Sequence, residues 1–193
     1  IGIGSAFEKP TSGNGYHSAA FDRFMANRST ISQRLGADRA QASTNGYDGT
    51  PNKGFSDGYG SLSQDVMLPA FLSAYTSLTP SKAGSKTFIR IPFPNWTVRY
   101  QGIGKMAVLK PYINSADIEH SYRAVYTIGG YNSNPQYDAQ SDGFSYVRNA
   151  QNDFISRHEI VNVSISEYFQ PLIGVNVGWV NNLQTQARIN RSR

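Results

Sequence analysis

The chain has no cysteine in 193 residues. That excludes a disulfide scaffold, thiol catalysis and cysteine-ligated zinc. Charge is scarce too: 16% of residues are Asp, Glu, Lys or Arg, against roughly 25% in an average soluble domain. Asn, Gln, Ser, Thr, Gly and Tyr fill the deficit, a composition that suits β-rich surface and outer-membrane proteins better than cytosolic enzymes. No run approaches the roughly 18 consecutive apolar residues of a membrane-spanning helix. The chain opens on Ile1-Gly2-Ile3-Gly4 without the charged-then-apolar start of a secretory signal, so it reads as mature, cytosolic or excised from something longer. The balance of 18 basic against 13 acidic residues gives a net charge of +5. Those charges are spread thinly apart from Arg188, Arg191 and Arg193, so nucleic acid is not an expected partner. Twelve Tyr, ten Phe and two Trp are too many aromatics for a disordered chain.

The first third reads as helix and loop. Ser18 is a helix cap, and Phe21, Phe24, Met25, Ile31 and Leu35 fall on one stripe, predicting a helix over 19–35 that stops near Gly36. Residues 43–60 form a Gly/Asn/Asp/Ser/Pro loop. Ser61 with Gln64 is a capping box for a second helix over 62–76, with a kink or a late start expected at Pro69. The two stripes, led by Phe21, Phe24, Phe71 and Tyr75, are expected to bury against each other or against neighbouring loops.

After about residue 87 the period changes from 3.6 to 2. Alternation predicts strands over 95–102, 115–128, 159–168 and 174–190, pairing in that order, with a long loop 129–158. The last segment carries Val175, Val177, Trp179, Leu183, Ala187 and Ile189 on one face and Asn176, Asn182, Gln184, Gln186 and Arg188 on the other. It holds phase far beyond the usual 5–6 residues or so of a globular strand, and past the about 9–11 that cross a membrane. The apolar set is therefore expected to face lipid and the polar set a wet lumen. Long and short connections alternate, as large outer loops and short periplasmic turns do in an up-and-down barrel. Tyr168, Phe169 and Trp179 are expected near the periplasmic interface. Residues 1–9, with Ile1, Ile3 and Phe7, read as the tail of a preceding strand, and 10–90 as a helical and loop insertion on the extracellular side. The fold class expected is mainly β: an antiparallel up-and-down meander within a large transmembrane β-barrel, with that insertion in the first third. Four or five strands cannot close a barrel, since the smallest have about eight, so the chain reads as part of a larger one. A long-stranded soluble sheet, in an adhesin or ligand-binding module, is the alternative.

Catalytic and metal motifs are weak. His17, His120 and His158 are scattered. Gly84-Ser85-Lys86-Thr87 lacks the leading glycine of a phosphate loop, and Gly58-Tyr59-Gly60-Ser61 does not put its serine between the glycines. Asp48, Asn52 and Asp57 miss the spacing of a calcium loop. Asp117, Glu119 and Arg123 read as a solvated strand face. No enzyme, cofactor or metal is expected.

Particular words go further. Phe24-Met25-Ala26-Asn27-Arg28-Ser29, Gln64-Asp65-Val66-Met67-Leu68-Pro69-Ala70-Phe71-Leu72, Pro94-Asn95-Trp96 and His120-Ser121-Tyr122-Arg123 resemble segments of the SprA family, called Sov in some species. So does Val163-Ser164-Ile165-Ser166-Glu167 followed by Phe169, Pro171-Leu172-Ile173-Gly174-Val175, Trp179, Asn181 and Leu183. The resemblance runs from about residue 21 to the end, within the C-terminal part of a far larger protein. It implies the outer-membrane translocon of the type IX secretion system of gliding Bacteroidota, a giant β-barrel that passes folded cargo proteins to the cell surface. It also implies as partners the remainder of that barrel, a PorV-like shuttle barrel, a periplasmic plug protein, the secreted cargo and outer-membrane lipid. No catalytic motif comes with it.

Overall fold

The structure, a computed structural model, describes residues 13, 15, 18–76, 78–81 and 94–193. The strand tail expected over 1–9, His17 and the stretch 84–87 lie outside them. The chain divides into two compact units, one of Ile1–Arg90 with Ile128–Val163 and one of Ile91–Thr127 with Ser164–Arg193.

In the first unit, Ser18 caps helix α1 (Ala19–Ala42), its Oγ accepting from the Phe21 N–H at 3.2 Å. The helix does not stop at Gly36 as the sequence suggested. A Cβ there would lie 2.3 Å from Ser56 Oγ, so the glycine serves the close approach of a loop instead of a terminus. Ala37, Ala40, Gln41 and Ala42 then carry the helix on with good propensity. One short ladder follows, β1 (Pro51–Asn52) with β2 (Phe55–Ser56), and then helix α2 (Gln64–Tyr75). Its N-cap is Ser63, without a side-chain bond. Gln64 does not close a capping box: its Nε2 donates to His158 O at 2.7 Å and its Oε1 accepts from Ile160 N–H at 2.9 Å. Pro69 lies inside the helix, buried. Small and β-branched side chains make the helix contact. Ile31 and Ala70 are both fully buried, with Phe24 and Leu35 packed on them, while Phe21 is 40% exposed. A second short ladder, β5 (Asn132–Ser133) with β6 (His158–Glu159), closes the neck of loop 134–157.

The remaining strands are β3 (Trp96–Tyr100), β4 (Ile113–Gly129), β7 (Asn162–Trp179) and β8 (Gln184–Ser192), in the sheet order β3-β4-β7-β8. A 3₁₀ turn at Ile103–Lys105 lies between the first two. Antiparallel sheets with two helices are thus the architecture of the described residues. The last two strands differ from the sequence reading. Residues 159–168 and 174–190 are not separate strands with a turn at 169–173; β7 runs through Pro171 and the turn falls at 180–183. Proline has no N–H to give a ladder, and here it sits in a bulge: Gln170, Pro171 and Leu172 lie between the pairs Phe169↔Arg191 and Ile173↔Ile189, opposite Asn190 alone. The real turn is Val180-Asn181-Asn182-Leu183. Asn182 N–H bonds back to Trp179 O at 3.2 Å, Trp179 N–H bonds to Leu183 O at 2.8 Å, and Asn182 takes φ +63°. This is the bonding of a three-residue hairpin loop ending in a left-handed residue.

Candidate functional site: a two-faced hairpin

Moving the turn leaves the division of faces intact. In β7–β8 the partners are Val175↔Ala187, Val177↔Thr185 and Ile173↔Ile189 on one side, and Asn176↔Gln186, Gly174↔Arg188 and Gly178↔Gln184 on the other. Directly opposed residues share a face, and every pair joins odd with odd or even with even. The bulge holds two extra residues, so it too preserves the phase. Of the residues singled out in the sequence, Val175, Val177 and Asn176 lie in β7 with Trp179 at its end. Gln184, Gln186, Ala187, Arg188 and Ile189 lie in β8, while Asn182 and Leu183 belong to the turn instead of to a face.

The even face carries a polar ladder. With its amide turned to satisfy its neighbours, the Gln186 oxygen accepts from Arg188 Nε at 3.1 Å and Nη2 at 2.9 Å, and lies 3.0 Å from the Asn176 amide. On β3–β4, the odd positions pair Thr97 with Ser121, hydroxyl to hydroxyl at 3.0 Å, and Arg99 with Glu119 at 3.5 Å. Glu119 and Arg99 are thus a surface ion pair, as a solvated strand face would have it.

On the odd face of β7, Phe169 packs against Tyr122 of β4, centroids 4.9 Å apart, and Tyr122 against Trp96 of β3 at 4.4 Å. His120 Nδ1 reaches Leu172 O at 2.7 Å, supplying a donor to a carbonyl that lies within the bulge. Glu167 is fully buried; Tyr122 Oη donates to its Oε1 at 2.6 Å and Arg193 Nη2 meets its Oε2 at 3.0 Å. Sequence reading missed this trio because its members are 45 and 26 residues apart. Tyr168 and Phe169 are also ten or more residues from Trp179 along β7, so the three aromatics cannot share one interface as expected; Trp179 ends the strand, while Tyr168 and Phe169 lie near its middle.

The helical unit has a centre of its own. Arg39, 3% exposed, lies over five rings: Phe154 at 3.7 Å, Phe144 at 4.5 Å, Tyr146 at 5.0 Å, Tyr59 at 5.4 Å and Tyr47 at 5.9 Å. Its Nε donates to Tyr59 Oη and its Nη1 to Ser145 O, both at 2.8 Å. The aromatics scattered through 47–59 and 144–154 are therefore a cage around a helix residue, which their loop-like spacing did not reveal. Burial pushes the Tyr47 hydroxyl up to about 12, with Tyr59 and Asp57 adding to the effect. Burial also raises the Asp65 carboxyl, which accepts from Ser156 Oγ at 2.8 Å. Arg148 does the reverse for Asp57, bonding both of its oxygens at 2.8 and 2.5 Å and holding it below the usual carboxylate range. Asp48 spends an oxygen on Thr50 N–H at 3.0 Å. Among the described residues, no group of three or more His, Asp or Glu side chains gathers as a metal site, and no helix is long and apolar enough to cross a membrane.

No protein-family model matches the chain, and no curated protein sequence matches it.

Proposed function

We propose that this chain is a segment of an outer-membrane, protein-conducting β-barrel, whose strands β3, β4, β7 and β8 form part of the wall and whose helical unit lies on the extracellular side. The reading follows the resemblance to the type IX translocon, in which folded cargo passes through the lumen. One observation carries it: from Ile173 to Val177 the β7–β8 pairs join apolar side chains and Thr185 on the odd face and Gly, Asn, Gln and Arg on the even face, in a strand of 18 residues. At about 3.3 Å per residue such a strand spans roughly 60 Å, well beyond what a soluble sheet commonly uses.

The distribution along the strand supports the same reading. From Phe169 to Trp179 the odd positions of β7 carry no charge, and they are bracketed by Glu167 with Arg193 and by Arg191, opposite Phe169, at one end and the Asn181-Asn182 turn at the other. That length matches the roughly 9–11 residues of a membrane crossing. Aromatics at both ends suit the girdles of the two interfaces. A lumen wall of Asn and Gln hydrogen-bonds water readily and offers passing cargo few apolar patches. Within this reading the partners are the remaining strands of the barrel, a PorV-like shuttle barrel, a periplasmic plug protein, the cargo and lipid; the work is conduction, with no catalysis or cofactor.

The absence of cysteine in this chain makes the test direct. Ile189→Cys and Gln186→Cys are placed singly in the full-length protein, with any cysteine elsewhere replaced, in intact outer membranes. Position 186 should react with a charged maleimide in intact membranes, whereas position 189 should react only after the protein is unfolded, since lipid excludes the reagent and suppresses the reactive thiolate. Equal reaction of the two with the charged reagent rejects the reading in favour of a water-exposed sheet.

A further inference from the structure

Within the helical unit, a groove of about 400 Å³ runs between α2 and the residues that lead into β7. Phe24, Met67, Phe71, Leu62, Val161 and Val163 supply its apolar wall, and no lining residue carries a carboxylate or an ammonium. Two of these side chains stand open to solvent, Leu62 at 70% and Val161 at 79%. A contiguous apolar patch of this kind is unusual on a surface that meets only water. Methionine and phenylalanine walls also suit a flexible, featureless occupant better than a rigid polar one.

A cation stands beside the groove-lining ring of Phe24. The guanidinium of Arg28 lies 5.5 Å from the centre of the Phe24 ring, and its Nη1 donates to the carbonyl of Ser61, next to Leu62. The occupant these features fit has an apolar chain for the groove and an anion for Arg28.

We infer that the groove binds one acyl chain of a phosphate-bearing membrane lipid, with the phosphate against Arg28. This rests on the reading of the chain as part of an outer-membrane barrel, and adds a lipid site within the helical unit itself. Each buried CH₂ contributes about 0.8 kcal/mol, so a chain of several methylenes holds without any covalent attachment.

The test uses purified full-length protein in detergent and myristoyl lysophosphatidylglycerol as the probe, with native mass spectrometry reading stoichiometry. One saturable lipid is expected. The double variant Leu62→Asp/Val161→Asp, at two exposed positions that leave the core alone, should weaken binding at least tenfold. Arg28→Gln should weaken this probe several-fold and leave monomyristoylglycerol, which has the same chain and no phosphate, unchanged. Binding that survives the double variant, or Arg28→Gln acting equally on the probes with and without phosphate, overturns the proposal. In membranes, Val161 replaced by a benzophenone amino acid should crosslink to lipid. Crosslinking to a polypeptide instead assigns the groove to a protein partner and overturns it also. The maleimide pattern at 186 and 189 is independent of these outcomes, so a groove without lipid on a correctly faced hairpin is told apart from a hairpin that faces water.

Discussion

The guanidinium carbon of Arg39 stands 3.7 Å from the centre of the Phe154 ring, and Arg148 approaches the same ring at 4.4 Å. Two cations thus share one aromatic residue at the heart of the helical unit. Arg39 has hydrogen bonds to a phenol and a carbonyl in place of a carboxylate, so its charge is held by ring faces and neutral oxygens. Each such ring contact is worth about 0.5–2 kcal/mol when desolvated.

Arg39→Met should therefore destabilise the helical unit by about 2–4 kcal/mol, since it leaves the Ser145 carbonyl and Tyr59 hydroxyl unanswered while keeping the volume. Arg39→Lys should not restore it, because an ammonium cannot reach both oxygens from a planar fork. Denaturant titration of the chain followed by tyrosine fluorescence reads both. A lysine variant of wild-type stability would mean that the cage is not what holds the unit together.

This centre shows where sequence reading ends. Residues 47, 59, 144, 146 and 154 have no common period, and only the fold gathers them around position 39. Period-2 alternation, by contrast, is local, so the faces of β7 and β8 were legible although their turn was not. Pro171 lies between the two strands read from the sequence, and in the fold it sits in a bulge of one continuous strand. Asn181 and Asn182 kept the alternation in phase and so hid a turn that their chemistry should have announced. Gly36 looked like a stop, but it answers to Ser56 across the fold.

Two glycines separate backbone strain from crowding. Gly46 and Gly58 both take φ +74°, but a Cβ at Gly46 meets nothing within 4 Å, while at Gly58 it would lie 2.3 Å from Phe154 Cε2. Gly46→Ala should cost about 1 kcal/mol from conformation alone. Gly58→Ala should cost a further 1–3 kcal/mol or so, because the Phe154 ring between two guanidiniums has little room to yield. Equal melting temperatures for the two variants would contradict the packing described.

Asp57 gives the helical unit an acid-sensitive arm. Its folded-state pKa lies below the unfolded value, through the hydrogen bonds from Arg148. The stabilisation is therefore complete above the unfolded carboxylate range near about 4 and is lost as the pH falls through the depressed folded value. Arg148→Gln should lower the unfolding midpoint at pH 6–7 and flatten its decline on acidification. A variant with an unchanged acid slope would show that the pair contributes nothing measurable, as many partly exposed pairs do.

The hairpin offers the sharpest choice between membrane and water. Ile189 is 60% exposed in the chain, so in a sheet that faces water an arginine there should change stability by less than about 0.5 kcal/mol. On the lipid face of a barrel the same change costs roughly 2–4 kcal/mol near the midplane, falling towards zero at the interface. Gln186, on the opposite face beside Asn176 and Arg188, supplies the control. Gln186→Arg adds a charge beside Arg188, yet a wet lumen screens it, and folding should be nearly unaffected. Assembly of the full-length protein into the outer membrane, scored by protease resistance, reads both variants. Ile189→Arg should reduce assembly and Gln186→Arg should leave it intact, showing at most a change in transport. If the two variants assemble equally well, or Gln186→Arg fares worse, the odd face does not meet lipid and the hairpin belongs to a sheet in water.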